Sequence, residues 1–271
     1  MDEAERVILE KLDAIEGSLD GGDPEAALRL ADEALADFPD VPDLLALRGD
    51  ALWALGDVRG ASEDYTLAVE LLPDAGDLLA GLARIRFSLS DFLGARRSAK
   101  EALKHEERAE ALDVLSRLAE RAGRLDEANR LADRATRIDP EGFPRPFRLP
   151  EREFLRAVEE AIDRLPERFR AAVREKNVAV LVEPVPPDEI LIEEDPPFDP
   201  AILGLYRGIP LPEREAASQQ VPDTIHLFRH NLERVAADRA TLVEEIAVTV
   251  YHELGHFFGL DEEELEDLDL D

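Results

Sequence analysis

Residues 241–261, TLVEEIAVTVYHELGHFFGLD, determine how the C-terminal part of this 271-residue chain folds. Apolar residues recur there at spacings of three and four, which predicts one amphipathic helix over 242–258. Thr241 and Glu244 have the spacing of a capping box at its start, and Gly259 is a typical C-terminal stop. The sequence therefore predicts a long, mostly apolar helix near the end of the chain.

Inside this helix, residues 252–256 read His-Glu-Leu-Gly-His. Side chains at i and i+4 lie on the same face of a helix, so His252 and His256 can bind one divalent cation. Glu253 is placed to take a proton from a water that the cation activates. The alternative is a chance match in an ordinary buried helix, but these polar residues would be costly to bury without partners. A metal is the simplest partner, and we predict Zn2+.

The third metal ligand is predicted to lie in the acidic run that follows the helix. The spacing H-E-x-x-H-x-x-G-x-x-[H/D] places it at Glu262, our first choice, with Asp261 second. A glutamate from a separate downstream helix is not expected, since the sequence ends at Asp271, so the ligand comes from the tail or from upstream. Glu263 and Glu264 stay open, and the alternative for most of these carboxylates is a solvated acidic tail.

Three blocks in this region resemble a known family. They are LGLYRGIPL at 203–211, PDTIHLFRHNL at 222–232 and TVYHELGHFFGLDEEEL at 249–265. Over residues 151–271 the chain is similar to the small bacterial zincin-like metallopeptidases, also called minimal gluzincins. The resemblance implies a compact α+β domain whose active-site helix packs under a small twisted sheet. The family usually has aspartate where this chain has Glu262.

Other segments of the same region have clear local patterns. Residues 151–164 predict a helix, and 177–182, 202–206 and 224–228 predict strands. Residues 184–200 are rich in proline and acidic side chains, which predicts a surface loop beside the site.

The resemblance to zincins also implies an edge strand above the cleft, to which an extended substrate adds as a further strand. Thr224–Arg229 is our candidate for this edge. Five residues are candidates to stabilise the oxyanion of a tetrahedral intermediate, with an ordinary structural hydrogen bond as the alternative for each: Tyr206, His226, Arg229, His230 and Tyr251.

The first half of the chain repeats with a period of 34 residues. Turn dipeptides recur at Gly22-Asp23, Gly56-Asp57 and Ser90-Asp91, where serine replaces the glycine of the third repeat. Small residues align at two positions of each unit: Ala27, Ala61, Ala95 and Ala128, and Ala34, Ala68, Ala102 and Ala135. A helix-turn-helix period of this length resembles tetratricopeptide repeats. Stacking of about four such units buries a continuous core.

Larger side chains are expected to fill the space between the repeat helices, namely Trp53, Leu55 and Leu89. We therefore predict a two-domain fold, with an all-α repeat array over 1–140 and a small α+β zincin-like domain over 151–271. A proline-rich, semi-rigid linker over 141–150 separates them.

Composition limits the partners and the location of the protein. A formal charge of −31 argues against nucleic acid and anionic membranes, although acidity is also a common solubility trait. No apolar stretch is long enough to span a bilayer, and cysteine is absent, which fits a cytoplasmic protein. Residues 1–83 hold 21 acidic and 5 basic side chains, whereas 84–140 hold 11 and 13. The acidic part predicts a groove for a basic peptide, with a solvated surface as the alternative.

Together these patterns favour a zinc metallopeptidase whose repeats recruit a protein or peptide substrate. The rival hypothesis is a binding module in which the zincin-like domain is a metal-binding scaffold with little or no catalysis.

Overall fold

The computed structural model describes residues 3–175, 178–193, 195–213 and 222–261. By its internal contacts the chain divides into two compact units. The first unit comprises Met1–Phe143 with Asp188–Pro200, and the second comprises Pro144–Pro187 with Ala201–Asp271.

The helices, in chain order, are α1 (Glu3–Asp20), α2 (Pro24–Asp37), α3 (Pro42–Ala54), α4 (Val58–Leu71), α5 (Gly76–Ser88), α6 (Phe92–His105), α7 (Ala109–Arg121), α8 (Leu125–Ile138), α9 (Glu151–Arg164), α10 (Glu167–Glu175), α11 (Asp188–Leu191), α12 (Arg229–Val235) and α13 (Arg239–Phe258). The strands are β1 (Ala179–Glu183), β2 (Gly204–Arg207) and β3 (Thr224–Phe228), and a 3₁₀ turn covers Leu211–Glu213. This order confirms the predicted fold class, a helical repeat array followed by a small α+β domain. None of the helices in the described part of the chain is long and apolar enough to cross a bilayer.

In the first unit, helices α1 to α8 pair in sequence, and the aligned alanines lie at their contacts. All eight alanines are buried, with no more than 1% of their surface exposed. Because a methyl group occupies little space, the paired helices approach closely. Their burial agrees with the stacked repeat array that the 34-residue period predicts.

The large side chains predicted to fill the array are placed differently. Trp53 and Leu55 are 37% and 41% exposed, so this part of the prediction is wrong. Tyr65 is buried instead, and its ring lies against Gly49 of α3 and Gly81 of α5. A Cβ atom added at Gly81 would lie 2.2 Å from the ring, so the two glycines form the slot that the tyrosine fills.

The turns of the repeats follow one design. Gly22 and Gly56 adopt positive φ angles of 73° and 86°, and Ser90 takes the same left-handed conformation with φ of 60°. The aspartate after each of these residues accepts a hydrogen bond from the first turn of the next helix. Serine thus replaces glycine without changing the turn, at a cost in backbone strain.

Residues 188–200, part of the predicted surface loop 184–200, group with the first unit by their contacts. Asp188 pairs with Arg121, the last residue of α7, and Asp195 pairs with Arg59 of α4. The guanidinium of Arg121 also stacks on the ring of Phe92, 4.1 Å from its centroid. Burial is the main cause of the lowered pKa of Arg121, with Asp188 opposing it. Charge pairing with the array was not apparent from the composition of the segment.

The second unit is built on a mixed three-stranded sheet with strand order β1-β3-β2. Strand β3 is parallel to β1 and antiparallel to β2, so it is the central strand. The prediction that Thr224–Arg229 forms a substrate-binding edge is therefore wrong, since both sides of β3 are already paired. Among the described strands the edges are β1 and β2.

Helix α13 packs against α9, β2 and β3, and its apolar face lies in the core of the unit. The predicted helix 151–164 is confirmed as α9. The predicted capping box is wrong, because α13 begins three residues earlier, at Arg239. Its N-cap is Asp238, whose carboxylate accepts a hydrogen bond from the amide of Thr241. An aspartate at this position caps a helix at least as well as threonine does.

Candidate metal centre

The C-terminus of α13 is closed by a left-handed glycine, as the sequence predicts. Gly259 has a φ of 88°, and its amide donates to the carbonyl of His256. The amide of Leu260 donates to the carbonyl of Gly255, so the chain turns back over the last helical turn. This reversal brings the carbonyl of Leu260 to 3.2 Å from Nδ1 of His256.

That contact determines where the imidazole of His256 carries its proton. A carbonyl oxygen only accepts hydrogen bonds, so Nδ1 of His256 is the donor. In the neutral ring Nε2 is then unprotonated, which is the state that binds a metal.

The two histidines of α13 converge. Nε2 of His252 lies 3.2 Å from Nε2 of His256, and the two rings are nearly perpendicular. Two nitrogen ligands at about 2.0–2.1 Å from a tetrahedral zinc ion lie about 3.3 Å apart. The geometry and the chemistry of this donor pair fit zinc.

The side chain of Glu253, a residue of α13, extends towards the edge strand β2. It is 7% exposed, and Oε2 accepts a hydrogen bond of 2.5 Å from the main-chain amide of Tyr206. Gly204, two residues earlier, allows this approach, since an added Cβ would lie 2.6 Å from Thr249 and 3.3 Å from Glu253. Sequence analysis did not identify the hydrogen bond from the Tyr206 amide or the role of Gly204. A glycine inside a strand pattern is the signal that could have revealed them.

A cavity of about 280 Å³ opens beside these groups. Its wall is formed by the N-terminal end of β2 and the residues before it, and by one face of α13 that includes His252 and Glu253. This volume is at the small end of ligand sites, with room for a side chain or two rather than a large cofactor.

Glu262, Glu263 and Glu264 lie outside the described residues, whereas Asp261 is described and exposed. In the described ranges, no three histidine, aspartate or glutamate side chains form a group that could hold a metal. The structure therefore brings together His252, His256 and Glu253 but leaves the third ligand a prediction.

The candidate oxyanion residues on β2, β3 and α13 have structural partners. Nδ1 of His226 is 2.7 Å from a carboxylate oxygen of Glu183 on β1, and the ring is 8% exposed. The hydroxyl of Tyr206 donates to Asp223 at 2.8 Å. The ring of Tyr251 packs edge-on against an apolar ring of α10. These contacts favour structural roles for the three side chains.

The other two candidates, Arg229 and His230, belong to a buried cluster around Glu233. The carboxylate of Glu233 is fully buried and accepts hydrogen bonds from Arg229 and Arg148, with Nδ1 of His230 3.1 Å away. The amide of Leu149 donates to the same carboxylate. Burial raises the pKa of Glu233, but the three side-chain hydrogen bonds outweigh it and lower this pKa to about 2.

The cluster therefore attaches the proline-rich segment to α12 within the second unit. The amide of Phe147 adds a main-chain hydrogen bond to the carbonyl of Glu233. Because this role depends on a contact between residues about 85 positions apart, no local sequence pattern indicated it.

In the first unit, residues of α1, α3 and α5 line an open surface cavity of about 530 Å³. Acidic side chains from Glu16, Asp20 and Asp50 line it together with the ring of Trp53. The guanidinium of Arg84 stacks 4.1 Å above that ring and donates to Asp50 at 2.6 Å.

Comparison with known families agrees with both halves of the structure. Residues 175–271 match the family described as zincin-like metallopeptidase, and residues 13–76 and 81–143 match a tetratricopeptide repeat family. The chain thus combines tetratricopeptide repeats with a zincin-like metallopeptidase region. A search among curated proteins finds no significant match.

Several solved structures resemble about half of this chain. The crystal structure of MamA is 19% identical, covers 52% of this chain and 76% of its own, and has a TM-score of 0.40. YrrB, described as a TPR protein with an unusual peptide-binding site, is 22% identical. The match covers 51% of this chain and 76% of YrrB, with a TM-score of 0.40. TTC0263, a TPR protein of Thermus thermophilus, is 21% identical. The match covers 49% of this chain and 92% of TTC0263, with a TM-score of 0.36.

Proposed function

We propose that this chain is a zinc-dependent peptidase that hydrolyses peptide bonds. The observation that carries the proposal is the convergence of Nε2 of His252 and Nε2 of His256 to 3.2 Å. The hydrogen bond from Nδ1 of His256 to the carbonyl of Leu260 supports it, because it leaves Nε2 unprotonated in the neutral ring. The match of residues 175–271 to zincin-like metallopeptidases agrees with the same reaction class.

Each residue has a distinct task in this proposal. His252 and His256 would hold the metal through their Nε2 atoms. Zinc bound there would supply Lewis-acid activation of a water molecule and of the scissile carbonyl. Glu253 accepts the proton of the attacking water and passes it to the leaving amine. Its partly buried position beside β2 limits competition from bulk water for the carboxylate.

For the third ligand we propose Glu262, with Asp261 as the second choice and Glu263 and Glu264 still open. The turn at Gly259 supports a ligand from this segment, because the chain already folds back towards His256 there. Glutamate reaches one methylene further than aspartate, so the position of its carboxylate depends on the path of the following residues.

We propose that an extended substrate lies beside β2 rather than β3, at main-chain groups other than the amide of Tyr206, which Glu253 already engages. Strand β2 is an edge of the sheet, contacts α13 and contributes to the cavity beside Glu253. The volume of about 280 Å³ favours a small side chain next to the scissile bond.

The proposal for the repeats is that they bind a basic peptide or protein and so raise the local concentration of substrate. The cavity between α1, α3 and α5 supports this, since Glu16 and Asp20 line it, whereas Asp50 and the ring of Trp53 are already engaged by Arg84. Carboxylates attract lysine and arginine side chains.

Fluorescence tests the repeat proposal directly, because Trp53 is the single tryptophan of the chain. Titration with a lysine- and arginine-rich peptide should change its emission, with weaker binding at about 0.5 M than at about 0.05 M salt. An acidic peptide of equal length is the control. Equal responses to both peptides, or no effect of salt, would refute the basic-partner proposal.

The catalytic proposal is tested by comparing the zinc-loaded wild type with Glu253→Gln and His252→Ala on a broad peptide library. We expect both variants to lose cleavage, whereas only His252→Ala loses zinc. Activity that persists in Glu253→Gln would contradict the assignment of the general base.

The second candidate function is a binding module with a metal-stabilised scaffold. It is motivated by Glu262, which stands where the resembled family usually has aspartate. A wild type that binds zinc and a basic peptide but cleaves no peptide in the library would support this alternative.

A further inference from the structure

The main-chain amide of Tyr206 faces away from its own sheet. Strand β2 pairs with β3 in an antiparallel register that places Leu205 opposite His226. The amide of Phe228 donates to the carbonyl of Leu203, so residues 203, 205 and 207 direct their main-chain groups to β3. Because β2 is an edge among the described strands, the amides of the alternate residues 204 and 206 have no partner in these strands.

Glu253 supplies a partner for one of these amides. Its Oε2 atom accepts the hydrogen bond from the amide of Tyr206 at 2.5 Å. A hydrogen bond to a carboxylate is shorter and stronger than one between neutral groups. The contact therefore joins the second residue of the His-Glu-Leu-Gly-His motif to the edge strand, 47 residues away in sequence.

The lack of a side chain at residue 204 makes this contact possible. A Cβ atom there would lie 2.6 Å from Cγ2 of Thr249 and 3.3 Å from Cγ of Glu253. It would also lie 3.1 Å from the carbonyl oxygen of His226 in the central strand. The carbonyl of His226 belongs to the main chain of the sheet and cannot move aside, so α13 would have to move away from the strand.

We propose that Gly204 and the main-chain amide of Tyr206 are positioning elements for Glu253. The amide fixes the direction of the carboxylate, and the glycine fixes the distance between α13 and β2. The link between these elements and peptide hydrolysis rests on the proposed function, whereas the hydrogen bond itself can be measured without any catalysis.

Residue-resolved hydrogen exchange of the full, metal-free chain is the first test. The amide of Tyr206 should exchange slowly in the wild type and about tenfold or more faster in Glu253→Ala. Glu253→Gln, which keeps an acceptor oxygen but not the charge, should fall between them. Glu244→Ala is the matched control, since this exposed glutamate lies on the same helix. Wild-type exchange at Tyr206 in Glu253→Ala, or equal acceleration in Glu244→Ala, would overturn the proposal.

Kinetics of the zinc-loaded chain are the second test. Gly204→Ala should lower kcat about 10- to 100-fold, since a displacement of about 1 Å has effects of this size, and should change KM by a smaller factor. Thr249→Ser removes the nearest methyl group and keeps the hydroxyl that bonds Glu245. The double variant Gly204→Ala/Thr249→Ser should recover part of kcat and of the slow exchange at Tyr206. A Gly204→Ala protein with wild-type kcat and wild-type exchange would contradict the proposal.

The two tests separate this inference from the proposed function. Fast exchange in Glu253→Ala in a chain without peptidase activity supports the positioning contact and counts against hydrolysis. Peptidase activity with unchanged exchange supports hydrolysis and overturns the positioning role. If Gly204→Ala does not fold, the comparison of the Glu253 variants still decides.

Discussion

Replacement of Glu233 by glutamine should strongly destabilise the second unit. Its carboxylate is fully buried and accepts hydrogen bonds of 2.9 Å from both Arg148 and Arg229, and one of 3.2 Å from the amide of Leu149. Glutamine keeps the shape but removes the charge and turns one acceptor into a donor that faces these donors. Removal of one partner from a buried ion pair costs about 3–5 kcal/mol, and we expect a loss in this range.

The effect should depend on pH in a defined direction. The pKa of Glu233 is about 2 in the folded chain, compared with 4.5 for an ordinary glutamate. A lowered pKa stabilises the folded state above pH 4.5, and this contribution is lost as the pH falls towards 2. The difference of about 2.5 units corresponds to roughly 3 kcal/mol. The gap in stability between wild type and Glu233→Gln should therefore shrink by about 1–2 kcal/mol at about pH 3.5.

The assay combines urea unfolding at about pH 7 and about pH 3.5 with hydrogen exchange at Phe147 and Leu149. In Glu233→Gln both amides should exchange faster, since the proline-rich segment is released from α12. The control is Glu167→Gln, which removes an exposed carboxylate paired with Arg170 and should change stability by less than about 1 kcal/mol. A Glu233→Gln protein as stable as this control, or a gap that widens in acid, would refute the reasoning.

Two further variants follow from backbone conformation. Ser90→Gly should stabilise the repeat array by about 1 kcal/mol, since it relieves a left-handed serine and removes a buried hydroxyl that has no hydrogen-bond partner among the described residues. The measurement is the midpoint of thermal unfolding, with Ser90→Ala, which keeps the left-handed strain, as the comparison. An unchanged midpoint in both variants would contradict this account. Gly259→Ala should weaken zinc binding about tenfold or more. The added Cβ strains a φ of 88° and would lie 2.7 Å from Pro212. The turn must then shift, which displaces the carbonyl of Leu260 that orients His256. Calorimetric titration with wild-type zinc affinity for this variant would contradict that account.

Sequence patterns predicted those features that depend on neighbours along the chain. The periodicity of residues 242–258 gave the long helix within two or three residues at its start, and Gly259 gave its end. The 34-residue period gave the buried alanines of the array. Zinc ligation by His252 and His256, and the domain boundaries at 140 and 150, stay predictions.

Features that depend on distant neighbours were not predictable in the same way. The alternation of Thr224–Phe228 correctly indicated a strand, but alternation carries no information about strand order, so its central position was missed. Trp53 was expected inside the array because of its size, yet its ring faces a cavity on the surface of the helices. Gly204, a glycine inside a strand pattern, signals a close approach, but no spacing in the sequence identifies α13 as the neighbour.

The most direct test of the central claim is zinc X-ray absorption of the zinc-loaded full chain. We predict one zinc ion with two imidazole nitrogens at about 2.0–2.1 Å and oxygen donors in the remaining positions. His256→Ala should remove one imidazole from the spectrum or abolish binding. A zinc site without two histidine ligands, or a spectrum that His256→Ala leaves unchanged, would contradict the account.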